Sequence, residues 1–195
     1  MLEISIAIII AYFFGSISSA IIICKLLGLP DPRTQGSGNP GATNVLRFGG
    51  KKVALATLLG DMLKGVIPIL LAKWVGMDTL GLALVALAAF IGHLYPIFFR
   101  FQGGKGVATF LGCTLALAWP VGLAIIATWL LIAVVFRYSS LAALIAAIAA
   151  PFYTWFFTNP TYTVIICIMS IFLIYRHQTN IQKLLTGKES KIGKK

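Results

Sequence analysis

Apolar runs alternate with short polar segments along the whole chain, and the runs are long enough to read as membrane-crossing helices. The first covers 3–24, where Gly15, Ser16, Ser19 and Ala20 at helical spacing offer a small-residue packing face. Lys25 ends it, and Pro30, Pro32 and Pro40 exclude a continuous helix through the next loop. A second run, 53–73, follows Lys51 and Lys52, and a third covers 80–99 after the turn Gly76 to Thr79. The polar patch Arg100 to Gly106 precedes apolar sequence to Val135 that is too long for one pass. Trp119 and Pro120 divide it into a short span at 107–118 and a further one at 121–136. Arg137 to Ser140 forms the next loop before a span at 141–157, and Thr158-Asn159-Pro160 turns into a last one closing near Tyr175. The pattern predicts an all-α, polytopic integral membrane protein with about seven transmembrane helices. It reads as one membrane-embedded domain over 1–195, with 191–195 a disordered basic tail attracted to anionic lipid.

Composition agrees: of 195 residues, 59% are hydrophobic and 11% charged, more apolar surface than a soluble domain of this size can hide. The net charge of +11 would suit nucleic acid, but the cations sit in short loops and at the C-terminus, so no nucleic-acid partner is expected. With the N-terminus outside, one side receives Lys25 to Lys52, Arg100, Lys105, Arg137 and everything from Arg176, while the other receives Lys73 alone. That asymmetry places the C-terminus in the cytosol and gathers every glycine-rich polar segment on the cytosolic face. Cys24, Cys113 and Cys167 have no CxxC spacing and offer no metal or disulfide framework.

Three polar segments carry the candidate chemistry. The first, Gly36-Ser37-Gly38-Asn39-Pro40-Gly41-Ala42-Thr43-Asn44, contains no acid and is followed by Arg47, Lys51 and Lys52. Glycines let successive N–H groups converge on an anion, and Arg47 adds a forked clamp for phosphate oxygens. An ordinary interhelical loop with positive-inside charge would look similar. The second runs from Gly92-His93-Leu94-Tyr95-Pro96 to Gln102-Gly103-Gly104-Lys105-Gly106-Val107-Ala108-Thr109. Its frame does not fit a P-loop, yet Gly-Gly-Lys-Gly entering a helix presents free N–H groups and an ammonium to an anion. His93 stands at the end of the third span as either a base or a hydrogen-bonded structural residue. In the third segment, Tyr175 to Ile181 with Lys183, Lys188 and Glu189 beyond, His177 and Asn180 share a face of a helix leaving the membrane. Inside the second span, Asp61 and Lys64 are three apart, a pair that fixes helix packing or touches substrate.

Absences narrow the chemistry. The acids Glu3, Asp31, Asp61, Asp78 and Glu189 are scattered, with no cluster to hold Mg²⁺. Phe98 stands where a His-x4-Asp acyltransferase motif needs its carboxylate, and no Ser, His and Asp form an evident triad. An enzyme built from these parts needs a substrate that is already activated, and no cofactor is called for.

Together the three segments resemble the cytosolic motifs of the PlsY family, bacterial acyl-phosphate:glycerol-3-phosphate acyltransferases. The likeness covers the whole chain in motif order and spacing. It implies transfer of an acyl group from acyl phosphate to the sn-1 hydroxyl of glycerol 3-phosphate, giving lysophosphatidic acid and phosphate, as the first step of phospholipid synthesis. It also implies residence in the bacterial inner membrane and a partner enzyme that produces acyl phosphate. Carried onto matching positions, Ser37 and Arg47 become essential residues that hold phosphate, with Gly38, Asn39, Thr43 and Asn44 binding substrate beside them. Gly103, Gly104, Lys105 and Gly106 become the acyl-phosphate cradle, flanked by His93 and Thr109. His177 and Asn180 place glycerol 3-phosphate, and Glu189 is structural. The departing phosphate takes the hydroxyl proton, and the acyl chain lies in a groove between helices. A small transporter for a phosphorylated compound would use similar glycine-interrupted helices, but the one-sided motifs and the lack of inverted repeats disfavour it. A purely structural membrane subunit leaves the three glycine-rich segments unexplained.

Overall fold

The computed structural model describes residues 2–193 and is all-helical among them. In chain order the helices are α1 (Leu2–Gly15), α2 (Ser19–Leu26), α3 (Ala42–Phe48), α4 (Gly50–Trp74), α5 (Thr79–Leu94), α6 (Val107–Leu117), α7 (Trp119–Phe136), α8 (Ser139–Phe157), α9 (Pro160–Arg176) and α10 (Gln178–Leu185), with a 3₁₀ turn at Ile97–Phe99. Four spans cross alone by length and apolar character: α4, α5 with its 3₁₀ extension, α7 and α8. Two bent pairs, α1 with α2 at 43° and α9 with α10 at 59°, bring the spans to six, and the short α6 is the seventh apolar segment. The protein is a multi-pass integral membrane protein, as the hydropathy pattern predicts.

α5 is the central post. It packs against α1, α4, α6 and α9, and its alanines, Ala83, Ala86 and Ala89, are fully buried and admit neighbours closely. Gly15 of α1 lies so near that an added Cβ would meet the Ala89 carbonyl at 2.0 Å, so no side chain fits there. Phe90 and Phe110 fill the space between α5 and α6 edge to face, with ring centroids 6.2 Å apart. Outward positions such as Leu59, Leu63, Leu70, Leu130 and Leu131 remain exposed, as a lipid-facing surface requires.

The first span departs from the uniform helix expected over 3–24. It breaks between Gly15 and Ser19, where Ser18 caps α2 by accepting the Ile21 amide. The carbonyl of Ile17, released by the break, accepts a 2.7 Å hydrogen bond from the Lys64 ammonium. Lys64 in turn lies 3.0 Å from Asp61, so the pair does fix helix packing.

α6 is short because its entry loop sinks into the bundle. Its first turn lies beside Asp61 of α4, to whose carbonyl Thr109 Oγ1 donates at 2.9 Å. Eleven residues make ~16 Å of helix, about half of a hydrocarbon core. At the far end the Lys73 ammonium donates to the Ala116 and Leu117 carbonyls, the former at 2.5 Å, and so closes the last turn of α6. Among the described residues, the one basic side chain at that end of the bundle is thereby used as a helix cap.

Candidate functional site

The three polar segments meet at one end of the bundle. The first is shaped by Asn44, which is buried and uses its whole amide on the loop. Its Nδ2 donates to the Pro32 and Gln35 carbonyls, both at 2.9 Å, and its Oδ1 accepts from the Ser37 amide at 2.9 Å. Gly36 is left-handed at φ +54°, and a Cβ there would meet Asn44 Oδ1 at 2.4 Å, so both its conformation and its space demand glycine. Asp31 closes the base of the loop by a forked contact to Arg33, 2.6 Å at its shortest, and this hydrogen bonding holds its carboxyl below the usual range. Ser37 and Gly38 are left exposed at the tip with Asn39 half-buried beside them, and Arg47 is exposed on α3. Thr43 shares a 3.0 Å hydrogen bond with Ser139 at the start of α8.

The second segment is held from two sides. The Arg176 guanidinium donates to the Gly103 carbonyl at 3.0 Å and to the Gly104 carbonyl at 3.2 Å, and sits 5.5 Å over the Tyr95 ring. From α5, the His93 carbonyl accepts the Gly104 amide at 3.2 Å. Gly106 is left-handed at φ +89° and turns the chain into α6 against Phe90. Gly103, Gly104 and Gly106 are buried, and Lys105 alone projects into the site. Thr109 is wholly buried against Asp61, behind the loop. His93 is buried there as well and faces the back of Gly104.

The third segment completes the ring. The Lys105 ammonium donates to Asn180 Oδ1, Asn180 Nδ2 donates to Glu189 Oε1 at 2.7 Å, and Ser140 Oγ donates to the same oxygen at 2.5 Å. His177 lies at the bend between α9 and α10 and is buried, while Asn180, three residues on, is half-buried. His177 Nδ1 donates back to the Leu173 carbonyl at 2.8 Å, leaving Nε2 as its free nitrogen. Burial pushes its imidazole down to about 4, so it is neutral at ordinary pH. Burial also lowers Lys105, to about 8; Glu189 opposes that shift, while Lys183, Arg176 and Arg47 add to it. Four cations therefore act on one place against a single carboxylate, a field suited to phosphate.

Between the first and third segments opens a cleft of about 770 Å³ lined by Gln35, Gly36, Arg47, Tyr138, Glu189 and Lys191, among others. Lys191 and Ile192, expected within a disordered tail, lie against the α7–α8 corner: the Ile192 amide donates to the Arg137 carbonyl at 2.7 Å and Lys191 sits 5.6 Å over the Tyr138 ring. Lys194 and Lys195 fall outside the described residues. Arg176, Ser140 and Glu189 thus belong to the site's framework, although the sequence reading gave the first two no role. Glu189 could have been singled out: Asp31 is its only rival acid among the loops at this end, and that acid stands two residues from Arg33.

Known proteins match the chain over nearly its whole length. A family model described as glycerol-3-phosphate acyltransferase matches residues 5–187. A glycerol-3-phosphate acyltransferase of Methylococcus capsulatus is 54% identical over 186 residues, covering 95% of this chain and 94% of its own. One of Ralstonia nicotianae is 57% identical over 190 residues, with 95% and 92% covered. Among solved structures, the glycerol 3-phosphate form of PlsY (YgiH), an integral membrane glycerol 3-phosphate acyltransferase, superposes with a TM-score of 0.93 at 42% identity, over 98% of this chain and 96% of that one. Its lysophosphatidic acid form gives 0.91 at 41%, with the same coverage. A full-length match of sequence and fold on this scale leaves one conclusion: the chain belongs to the glycerol-3-phosphate acyltransferase family, the PlsY type of integral membrane enzyme.

Proposed function

We propose that this acyltransferase takes its acyl group from acyl phosphate and delivers it to the sn-1 hydroxyl of glycerol 3-phosphate at the cytosolic face of the bacterial inner membrane. The observation that carries the reading is the meeting of three separate loops at one end of the bundle: Lys105 of the second bonds Asn180 of the third, Arg47 of the first adds to the positive field on Lys105, and Glu189 is the one carboxylate acting there. Both substrates are phosphate esters or anhydrides, and charge neutralisation is the main thing they need from a protein. The positive-inside distribution supports the orientation, with the N-terminus outside and the C-terminus cytosolic.

In this reading Gly103, Gly104 and Gly106 with Lys105 hold the phosphate of the donor, Ser37 and Arg47 hold phosphate across the cleft, and Asn180 and His177 place the acceptor. Gly38, Asn39 and Thr43 border the acceptor side; Asn44, Thr109 and His93 act through the loops they support. The acceptor hydroxyl oxygen attacks the acyl carbonyl carbon, forming the ester bond. The carbonyl carbon's bond to the phosphate oxygen breaks, phosphate keeps the electron pair, and the hydroxyl proton passes to it. The products are lysophosphatidic acid and inorganic phosphate, so the step balances without a co-reactant. His177 is too weak a base for the proton, with its conjugate acid at about 4, and His93 lies behind the loop. Acyl phosphate must come from an enzyme that phosphorylates or phosphorolyses an acyl group.

The test is turnover by purified protein in lipid with palmitoyl phosphate and glycerol 3-phosphate, without metal, CoA or carrier protein. Lysophosphatidic acid and phosphate in equal amounts are expected, and turnover with acyl-CoA alone would sink the proposed donor. The same assay carries a pH signature. Lys105 binds an anion only while protonated, and its ammonium sits at about 8 in the free protein. kcat/KM for acyl phosphate should therefore hold from about pH 6 to about 8 and fall above that. Lys105→Arg should remove the alkaline limb, because a guanidinium keeps its charge.

A further inference from the structure

A phosphate site gains most from cations aimed at the anion, yet Arg176, half-buried at the end of α9, turns its guanidinium on the protein's own backbone. Its Nη2 donates to the Gly103 carbonyl at 3.0 Å and to the Gly104 carbonyl at 3.2 Å, and its Nε donates to Gly104 at 3.3 Å. The guanidinium lies 5.5 Å over the Tyr95 ring. Tyr95 is itself held from the first span, where the Tyr12 hydroxyl donates to its carbonyl at 2.8 Å. Ser16 accepts the Ile97 amide at 3.4 Å, so the turn carrying Tyr95 is pinned at two points. The loop's peptide planes follow from these contacts, because a trans peptide carries its C=O and N–H on opposite sides. The Gly103–Gly104 unit is fully used, with its carbonyl on Arg176 and its amide on the His93 carbonyl. In the next unit the Gly104 carbonyl also faces Arg176, which turns the Lys105 amide away from the guanidinium. That amide has no hydrogen-bond partner among the described residues. Were this unit to flip, which a glycine at 104 permits cheaply, a carbonyl oxygen would replace the open donor and repel an anion.

We propose that Arg176 is a positioning residue that fixes the direction of the Gly104–Lys105 peptide and so turns the Lys105 amide toward a substrate phosphate, with Tyr95 and Tyr12 as its support. The inference rests on the reading that a phosphate meets this loop, and it holds for the phosphate of either substrate. Arg176 acts through the loop's backbone and does not itself touch the anion. Its charge serves geometry: one planar fork spans two successive carbonyls, which a single ammonium cannot do. Tyr12, in the first span, thereby bears on the site by way of Tyr95 and the guanidinium.

Arg176→Lys tests this, since it keeps the charge and loses the fork. It should lower kcat/KM about 30-fold and raise KM for one substrate about 10-fold while changing the other less than about 2-fold. The substrate whose KM rises is the one whose phosphate the loop holds. The direct readout is the Lys105 amide resonance of protein labelled with ¹⁵N-lysine, identified by its absence from Lys105→Arg. In the parent, inorganic phosphate or glycerol 3-phosphate, each added alone, should move that resonance downfield. In Arg176→Lys, most of the movement should be lost even at saturating ligand. Tyr12→Phe, which removes one hydroxyl and leaves the fold safe, should raise the same KM about 3-fold and leave the other unchanged. A Lys105 amide that still moves fully in saturated Arg176→Lys would mean that Arg176 meets phosphate itself, and would overturn the proposal. Equal rises in both KM values would do the same, as would a lowered melting temperature with both unchanged, the mark of packing alone. A parent resonance that answers to neither anion while turnover persists would instead remove the reading of this loop as a phosphate site, and the inference with it.

Discussion

Lys105→Ala is expected to cost about 10³-fold in kcat/KM for acyl phosphate with the protein still folded. Two losses combine in that figure. The ammonium is the only cation the glycine-rich loop itself carries, and it is half-sunk where water screens it poorly, as its depressed value of about 8 records. It also holds Asn180 through the Oδ1 hydrogen bond, so its removal frees Asn180 and with it the contact to Glu189. Because the side chain is only half-buried, truncation leaves no large cavity, and the melting temperature should stay within a few degrees of the parent. A loss of activity accompanied by collapse of the fold would point to a structural lysine instead.

Gly103→Ala should be harsher on the loop than any other single methyl. The new Cβ would lie 2.1 Å from the His93 carbonyl oxygen and 2.5 Å from that of Leu94, and both are backbone atoms of the central helix that cannot swing aside. The loop must move off α5, which breaks the Gly104 amide's hydrogen bond to His93 and the grip of Arg176 on the two glycine carbonyls. Overpacking of this sort costs ~1–3 kcal/mol, and activity should fall below detection before stability is lost. Thermal denaturation beside a turnover assay checks both halves. Wild-type activity in Gly103→Ala would mean that the loop reaches its working shape only after leaving α5.

How far the sequence reveals these features depends on how local their causes are. Span positions were readable because a bilayer imposes its length on each segment independently, and α7, α8 and α9 fall within a few residues of the expected bounds. The break at Ile17 was not readable. Gly15, Ser16 and Ser18 in an apolar run serve equally well as a packing face or as a hinge, and what decides between them is Lys64, 47 positions away. The glycine-rich loop announced an anion site by composition, but its depth depends on Arg176 and on the fit against His93. The same holds for Asn44: its type suggested a ligand to substrate, whereas its three contacts to Pro32, Gln35 and Ser37 make it the clamp of its own loop. Residues that build a site and residues that touch its ligand share the same chemistry, and only geometry separates them.

The shortness of α6 bears on how the proposed acyl donor, a very insoluble molecule, would be handled. Taking a palmitoyl chain out of lipid into water costs ~0.8 kcal/mol for each methylene, or about 12 kcal/mol in all, enough to dominate any reaction cycle that required it. A phosphate cradle at the membrane surface would draw the head group, and part of the chain behind it, out of the bilayer. Here the proposed cradle sits where α6 begins, alongside Asp61 and eleven positions into α4 from Gly50. The head group can descend to meet the lysine while the tail stays dissolved among the acyl chains of the surrounding leaflet. In the proposed reaction the enzyme would work as a site of lateral exchange: an insoluble donor would diffuse in sideways, a water-soluble acceptor would enter from above, and a lipid would leave sideways without being extracted.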